Sequence, residues 1–242
     1  MGSLSALDIV ASLAAIAVGA LVQGSVGFGF VLVAGPLVAL VEPGAVPATF
    51  LILALPMQAW MAVRERHAID IGGFAQMTLG RVVGTVAGAF VLVVVARDEL
   101  AGVVGCGIVV AVLISAFAPA FEPGAGARIA AGGVSGLMAT VAAVGGPAMA
   151  LVYQGRSGSE LRATLALTFV AGGVLSLVAL AVTGHLPPWH FVFAALLAPA
   201  ELIGLALRGP VIGLLDAGWM RPAVLTFAAA GGLAVVAKAL VW

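Results

Sequence analysis

GSVGFGF, Gly24 to Phe30, interrupts an apolar stretch that otherwise reads as continuous helix, and a second glycine break, VGGP at Val144 to Pro147, recurs about 120 residues later. A backbone that leaves the helix at membrane depth exposes N–H and C=O groups, and lipid tolerates this only around a protein-lined cavity. Two such breaks in corresponding parts of one chain point to a transport site.

The surrounding composition puts both breaks in a membrane. Of 242 residues, 63% are hydrophobic and 8% charged, with mean hydropathy +1.26, against roughly a quarter charged in a soluble domain. A spanning helix takes about 20 apolar residues, so the long runs leave little material for a soluble domain, and residues 1–242 are expected to form one membrane domain. Ten basic and ten acidic residues cancel, and no basic arm offers a surface to nucleic acid. The opening MGSLSALD lacks the basic region of a secretory signal and reads as the lead into the first membrane segment. Cys106 is the one cysteine; it has no internal disulfide partner and reads as a small buried hydrophobe.

Apolar runs bounded by charges, prolines and glycines give ten segments, roughly 6–23, 28–41, 46–63, 74–96, 100–118, 127–143, 146–154, 162–183, 190–207 and 222–241. The fold expected is all-α and polytopic, with about eight to ten membrane segments. The segments fall into two sets of five, a first repeat over about 6–118 and a second over about 127–241, joined by EPGAGAR at Glu122 to Arg128. Ala48-Thr49 and Ala163-Thr164 both open a third segment, and Arg81-x-x-Gly84 matches Glu201-x-x-Gly204 at an offset of 120.

An odd number of segments per repeat inverts the second half, and loop charges test this through the positive-inside rule. With ten segments, the N-terminal side holds Arg97 and Lys238, whereas the opposite side holds Arg64, Arg66, Arg128, Arg156, Arg162, Arg208 and Arg221. That bias makes the arginine-rich side cytoplasmic and leaves both termini outside.

In the first break, Gln23, Ser25 and the N–H groups of Gly27, Phe28 and Gly29 gather where a new helix begins. Helix starts carry unsatisfied donors and a partial positive charge, which suits anions. In the second, Thr140 precedes Gly145 and Gly146, and Pro147 is placed to open the next helix. The competing explanation is that the glycines only permit close helix packing.

Arg81 and Glu201 stand inside apolar segments at equivalent repeat positions, where an ionised group is expensive unless paired or hydrated. They could form an ion pair that acts as a gate or stays static, or Arg81 could hold an anion directly with its planar fork. Proton coupling would fall to Glu201. Gln58, two residues after Pro56, and Gln154 could line a pathway or join helices. His67, His185 and His190 are expected in solvated loops without metal-ligand spacing, so no metal site and no cofactor are assigned. Trp60, Trp189, Trp219 and Trp242 sit at segment ends, as an aromatic belt would.

Gly133-Val134-Ser135-Gly136 has the G-x-S-G form of an intramembrane serine protease, which would need a base within reach of the Ser135 hydroxyl. An anion channel is the other alternative. Broken helices in two halves favour a transporter working by alternating access.

The run GSVGFGFVLVAGPL at Gly24 to Leu37, the acidic-proline step Glu42-Pro43, and GGVSGLMATVAAVGGPAMALVY at Gly132 to Tyr153 together resemble the sulfite exporter TauE/SafE family over nearly the whole chain. The resemblance implies a multi-pass transporter of the prokaryotic inner membrane that carries sulfite or small organosulfonate anions. Its partners would be the anion, the lipid bilayer and a coupling proton or ion, with room for a homo-oligomer.

Overall fold

The computed structural model describes residues 5–95, 99–117, 123–153, 156–215, 226 and 229–237. All regular structure among them is helical: α1 (Ala6–Val26), α2 (Phe30–Val41), α3 (Ala48–Arg64), α4 (Ile71–Val94), α5 (Leu100–Phe117), α6 (Ala125–Ala142), α7 (Gly146–Leu151), α8 (Gly158–Val182) and α9 (Trp189–Leu215). Residues 229–237 are helical as well, inside the tenth expected segment. Arg97, Glu122, Gln154, Trp219, Arg221, Lys238 and Trp242 lie outside the described residues.

Polar residues set the helix starts where the chain leaves the apolar region. Ser5 and Asp8 form a capping box on α1, Asp70 accepts the Gly73 N–H at the start of α4, and Ser157 accepts the Glu160 N–H at the start of α8. The Ser157 cap is why α8 begins four residues before the expected 162. Five helices among the described residues are long and apolar enough to cross a membrane: α1, α4, α6, α8 and the Trp189–Arg208 part of α9. Their outward faces stay apolar, with Val83 68%, Phe90 68% and Val182 82% exposed. Such faces suit hydrocarbon, since water would leave them unsatisfied as a large exposed patch.

Between helices, missing side chains do the packing. A Cβ on Gly80 or Gly84 of α4 would strike the backbone of Ile129 or Gly133 in α6, and Gly132 and Gly136 of α6 press in return on Met77 and Arg81. Gly204 of α9 lies against the backbone of Ala17 in α1 in the same way. In lipid, where apolar burial adds little between helices, this close approach supplies the van der Waals attraction. The GVSG sequence thus belongs to a helix crossing.

One end of the bundle carries a charged network. Arg162 bridges to Glu65 at 3.1 Å and Arg208 to the same carboxylate at 3.6 Å, while Arg64 and Arg208 both lie over the Trp60 ring, at 5.0 and 5.1 Å. Asp70 accepts the Tyr153 hydroxyl at 2.9 Å and pairs with Arg128 at 3.5 Å, beside Arg156 and His67. Burial alone would raise the Asp70 carboxyl, but the Gly73 N–H, the Tyr153 hydroxyl and the Arg128 and Arg156 guanidiniums outweigh it and hold it below its ordinary value.

Two expectations are corrected. Cys106 is exposed on α5, because the buried stripe of that helix runs through Val104, Ile108 and Ala111 instead. His190 is 3% exposed rather than solvated, with its Nδ1 3.0 Å from the Thr49 hydroxyl and its ring stacked on Trp189.

Gly84→Leu and Gly204→Leu are each expected to cost about 1–3 kcal/mol through overpacking, whereas Val83→Leu on the lipid face is near neutral; thermal unfolding in detergent measures both. Because the folded Asp70 value lies below the unfolded one, its stabilisation is present above the unfolded carboxylate value and is lost as pH falls through the folded one. Asp70→Asn should therefore unfold at lower temperature near neutrality and show a smaller loss on acidification.

Candidate functional site

The two breaks meet. α1 ends at Gly27 with φ 94° and α2 begins after Gly29 with φ 115°, both left-handed conformations that a Cβ disfavours. α6 ends at Ala143 with φ 57°, so the second break is Ala143-Val144-Gly145 and includes a non-glycine residue in the left-handed region. A Cβ on Gly146 would press on Phe28, which fixes how closely the second break approaches the first. Between them lies a cavity of about 60 Å³ lined by Gln23, Phe28–Leu32, Leu51, Ala54, Leu55, Gln58, Arg81, Ala139, Ala143–Pro147, Phe169 and Gly173.

Of the residues expected to bind an anion, Phe28, Gly29, Gly145, Gly146, Arg81 and Gln23 line this cavity. Gln23, however, spends both ends of its amide on the break: its Nε2 donates to the Gly27 carbonyl at 2.8 Å, and its Oε1 accepts the Phe30 N–H at 3.0 Å. It serves as a clamp that holds the helix start open. Gly27 lies behind the lining and supplies the carbonyl for that clamp. Ser25 and Thr140 do not reach the cavity, because each hydroxyl donates to a carbonyl four residues back, Leu21 and Gly136, both at 2.8 Å. Thr140 also meets the Ser176 hydroxyl at 2.9 Å.

Arg81 is 1% exposed and reaches the cavity from the middle of α4. Its Nη1 donates to the Ser135 hydroxyl at 3.1 Å, its guanidinium carbon lies 5.6 Å from the centre of the Phe169 ring, and its Nε has no hydrogen-bond partner. The plane of the group rests on Gly172, where any Cβ would overlap Nε and Cζ. Among the described residues no carboxylate pairs with it. The expected ion pair with Glu201 is not formed: Glu201 lines a separate cavity with Pro56, Trp60, Arg64 and Arg208.

Ser135, Phe169 and Gly172 were not among the expected site residues. The glycine pair Gly172-Gly173 inside a long helix was the one signal in the sequence for Phe169 and Gly172, while Ser135 had been singled out only as a protease nucleophile. The protease reading is not favoured, since the partner of Ser135 is a guanidinium, which cannot take its proton. Gln58 lines the cavity with its Oε1 buried and unpartnered.

With the Phe30 N–H taken by Gln23 and the Val33 N–H bonded to the Gly29 carbonyl at 3.0 Å, Val31 and Leu32 supply the free donors of the α2 start. The six-residue α7 has a small dipole and a proline second in line, so its start offers less. The positive character of the cavity therefore comes from α2 on one side and Arg81 on the other. Gln23→Ala leaves the Phe30 N–H and Gly27 carbonyl buried without partners and is expected to cost about 1–3 kcal/mol for each group. Ser25→Ala should be nearly silent in the same thermal unfolding measurement.

Comparison with known proteins bears on what such a cavity belongs to. No curated relative and no solved structure matches the chain. The family model described as sulfite exporter TauE/SafE matches residues 11–235, which include both breaks, Arg81 and Glu201. A multi-pass helical protein matched over almost its full length, the chain belongs to the sulfite exporter TauE/SafE family.

Proposed function

We propose that the protein is a secondary transporter, working as an exporter, that binds sulfite or a small organosulfonate between the two helix breaks and moves it by alternating access. The observation that carries this reading is Arg81, a buried cation in the cavity with no carboxylate partner among the described residues. A buried charge is costly without a counterion, and a small anion supplies one. A sulfonate or sulfite group presents several acceptor oxygens. Arg81 meets these with charge-assisted hydrogen bonds, and the Val31 and Leu32 N–H groups meet them with the partial charge of a helix start. The carboxamide of Gln58, turned to present its NH2, adds a neutral donor.

Two inverted five-helix repeats form the moving parts in this reading. Exchanging the halves maps the packing of α4 on α6 onto that of α9 on α1, and maps α3 on α8 onto itself. The contact of Gly84 with Gly133 has its counterpart in Gly204 with Ala17, at offsets of 120 and 116 residues. Each pair joins one half to the other, which is where rocking of two rigid bodies would place its bearings. The charged network ties Arg162 and Arg208 around Glu65, sets Arg64 beside Arg208 on Trp60, and gathers Arg128 and Arg156 around Asp70. By the positive-inside rule this end faces the cytoplasm of the inner membrane and both termini lie outside. The sequence carries no nucleotide-binding motif, so ion gradients are the energy source in this reading.

The test is flux of sulfite, methanesulfonate and sulfoacetate in proteoliposomes. Arg81→Gln is expected to lower flux tenfold or more, since loss of one charged partner costs about 2–5 kcal/mol, and Arg81→Lys should retain part of it. Wild-type flux in Arg81→Gln would remove Arg81 from the site.

A further inference from the structure

A second buried group faces a second cavity. Glu201, on α9, is 3% exposed, and its Oε1 has no hydrogen-bond partner. The cavity beside it, about 630 Å³, is lined by Pro56, Met57, Trp60 and Arg64 of α3 and by Glu201, Leu202, Leu205, Ala206 and Arg208 of α9. It shares no residue with the cavity between the breaks.

We propose that the Glu201 carboxyl is the site where the transporter takes up and releases a coupling proton, a role that rests on the anion-transport reading above. The charged groups around it disfavour a metal cation. α3 brings Arg64, with Glu65 just past its end; α9 itself brings Arg208 and, far along the helix, the hydrogen-bonded His190. The described part of α1 brings only Asp8, at its exposed start. Arg208 is already committed to Glu65 and to the Gly24 carbonyl at 3.0 Å. A metal cation would face two guanidiniums and one carboxylate, and no cluster of three or more metal-ligating side chains occurs among the described residues. Arginine does not release its proton in the physiological range. Among the described residues Glu201 is then the one group lining this cavity that exchanges a proton, and a proton needs no further ligands.

α3 connects this site to the anion. Its Leu51, Ala54, Leu55 and Gln58 line the cavity between the breaks, while Pro56, Met57, Trp60 and Arg64 line the other. Pro56 lacks an N–H, which removes one backbone bond within the stretch where the two sets interleave and makes the helix easiest to bend there. Neutralising Glu201 removes the cost of burying its charge in the present packing of α3 on α9, so its protonation state biases the arrangement that Gln58 presents to the anion.

The experiment uses the full chain in proteoliposomes, with methanesulfonate as the probe because it stays ionised on both sides of an imposed pH gradient. Glu201→Gln is expected to keep methanesulfonate-for-methanesulfonate exchange and to lose all acceleration by the gradient. In parallel, infrared difference spectra between alkaline and acidic buffer should show a carboxylic acid C=O band in wild type that is missing in Glu201→Gln. Gradient-driven flux that survives in Glu201→Gln overturns the proposal, as does a wild-type spectrum without that band. If wild type moves no methanesulfonate yet shows a band that Glu201→Gln lacks, the proton site stands and the sulfonate reading fails.

Discussion

Every N–H and C=O group that a helix gives up inside a bilayer must find another partner, because hydrocarbon offers none. The first break meets this constraint with one side chain. Gln23 takes the Phe30 N–H and gives a hydrogen to the Gly27 carbonyl, so the backbone on both sides of the turn is satisfied through a single amide. With that pair closed, the next donors, on Val31 and Leu32, are the ones left for a ligand. The second break has no such clamp among the described residues and instead closes on itself, the Val144 N–H reaching the Met138 carbonyl at 3.3 Å. The cavity is therefore asymmetric. One wall offers a helix start and the other a guanidinium.

That asymmetry also shows what a sequence can and cannot reveal. Glycine and proline punctuation is read by the backbone itself, so the segments and both breaks were legible, and α1 to α8 follow them within a few residues, whereas α9 runs eight residues past the expected 207. Arg81 was legible because a charge in an apolar run has few explanations. The hydroxyls misled, since Ser25 and Thr140 can bond to their own helix and do so. No spacing rule distinguishes that choice from a hydroxyl aimed at a ligand. Ser135 misled in the opposite direction: a motif suggested a nucleophile, whereas the structure makes it an acceptor for Arg81.

The Arg81–Glu201 ion pair, one of the readings open from the sequence, does not form for a geometric reason. α4 packs on α6 and α8, whereas α9 packs on α1 and α3, so the two residues point into different helix pairs and different cavities. In the proposed reading their separation gives each a task. The cation faces the cavity between the breaks, and the carboxyl faces one reached along α3, where Pro56 sits in the stretch that carries both linings.

The seat of Arg81 on Gly172 carries a consequence for how charge preference is encoded in this chain. The guanidinium lies in the space that a methyl group would otherwise fill. An alanine at position 172 would evict the cation from its place while leaving every charge in the sequence unchanged. The electrostatics of the cavity are thus written partly in an uncharged residue on a neighbouring helix. A relative that keeps the arginine but loses this glycine would present its anion with a different pocket, and counting charges alone would miss the difference.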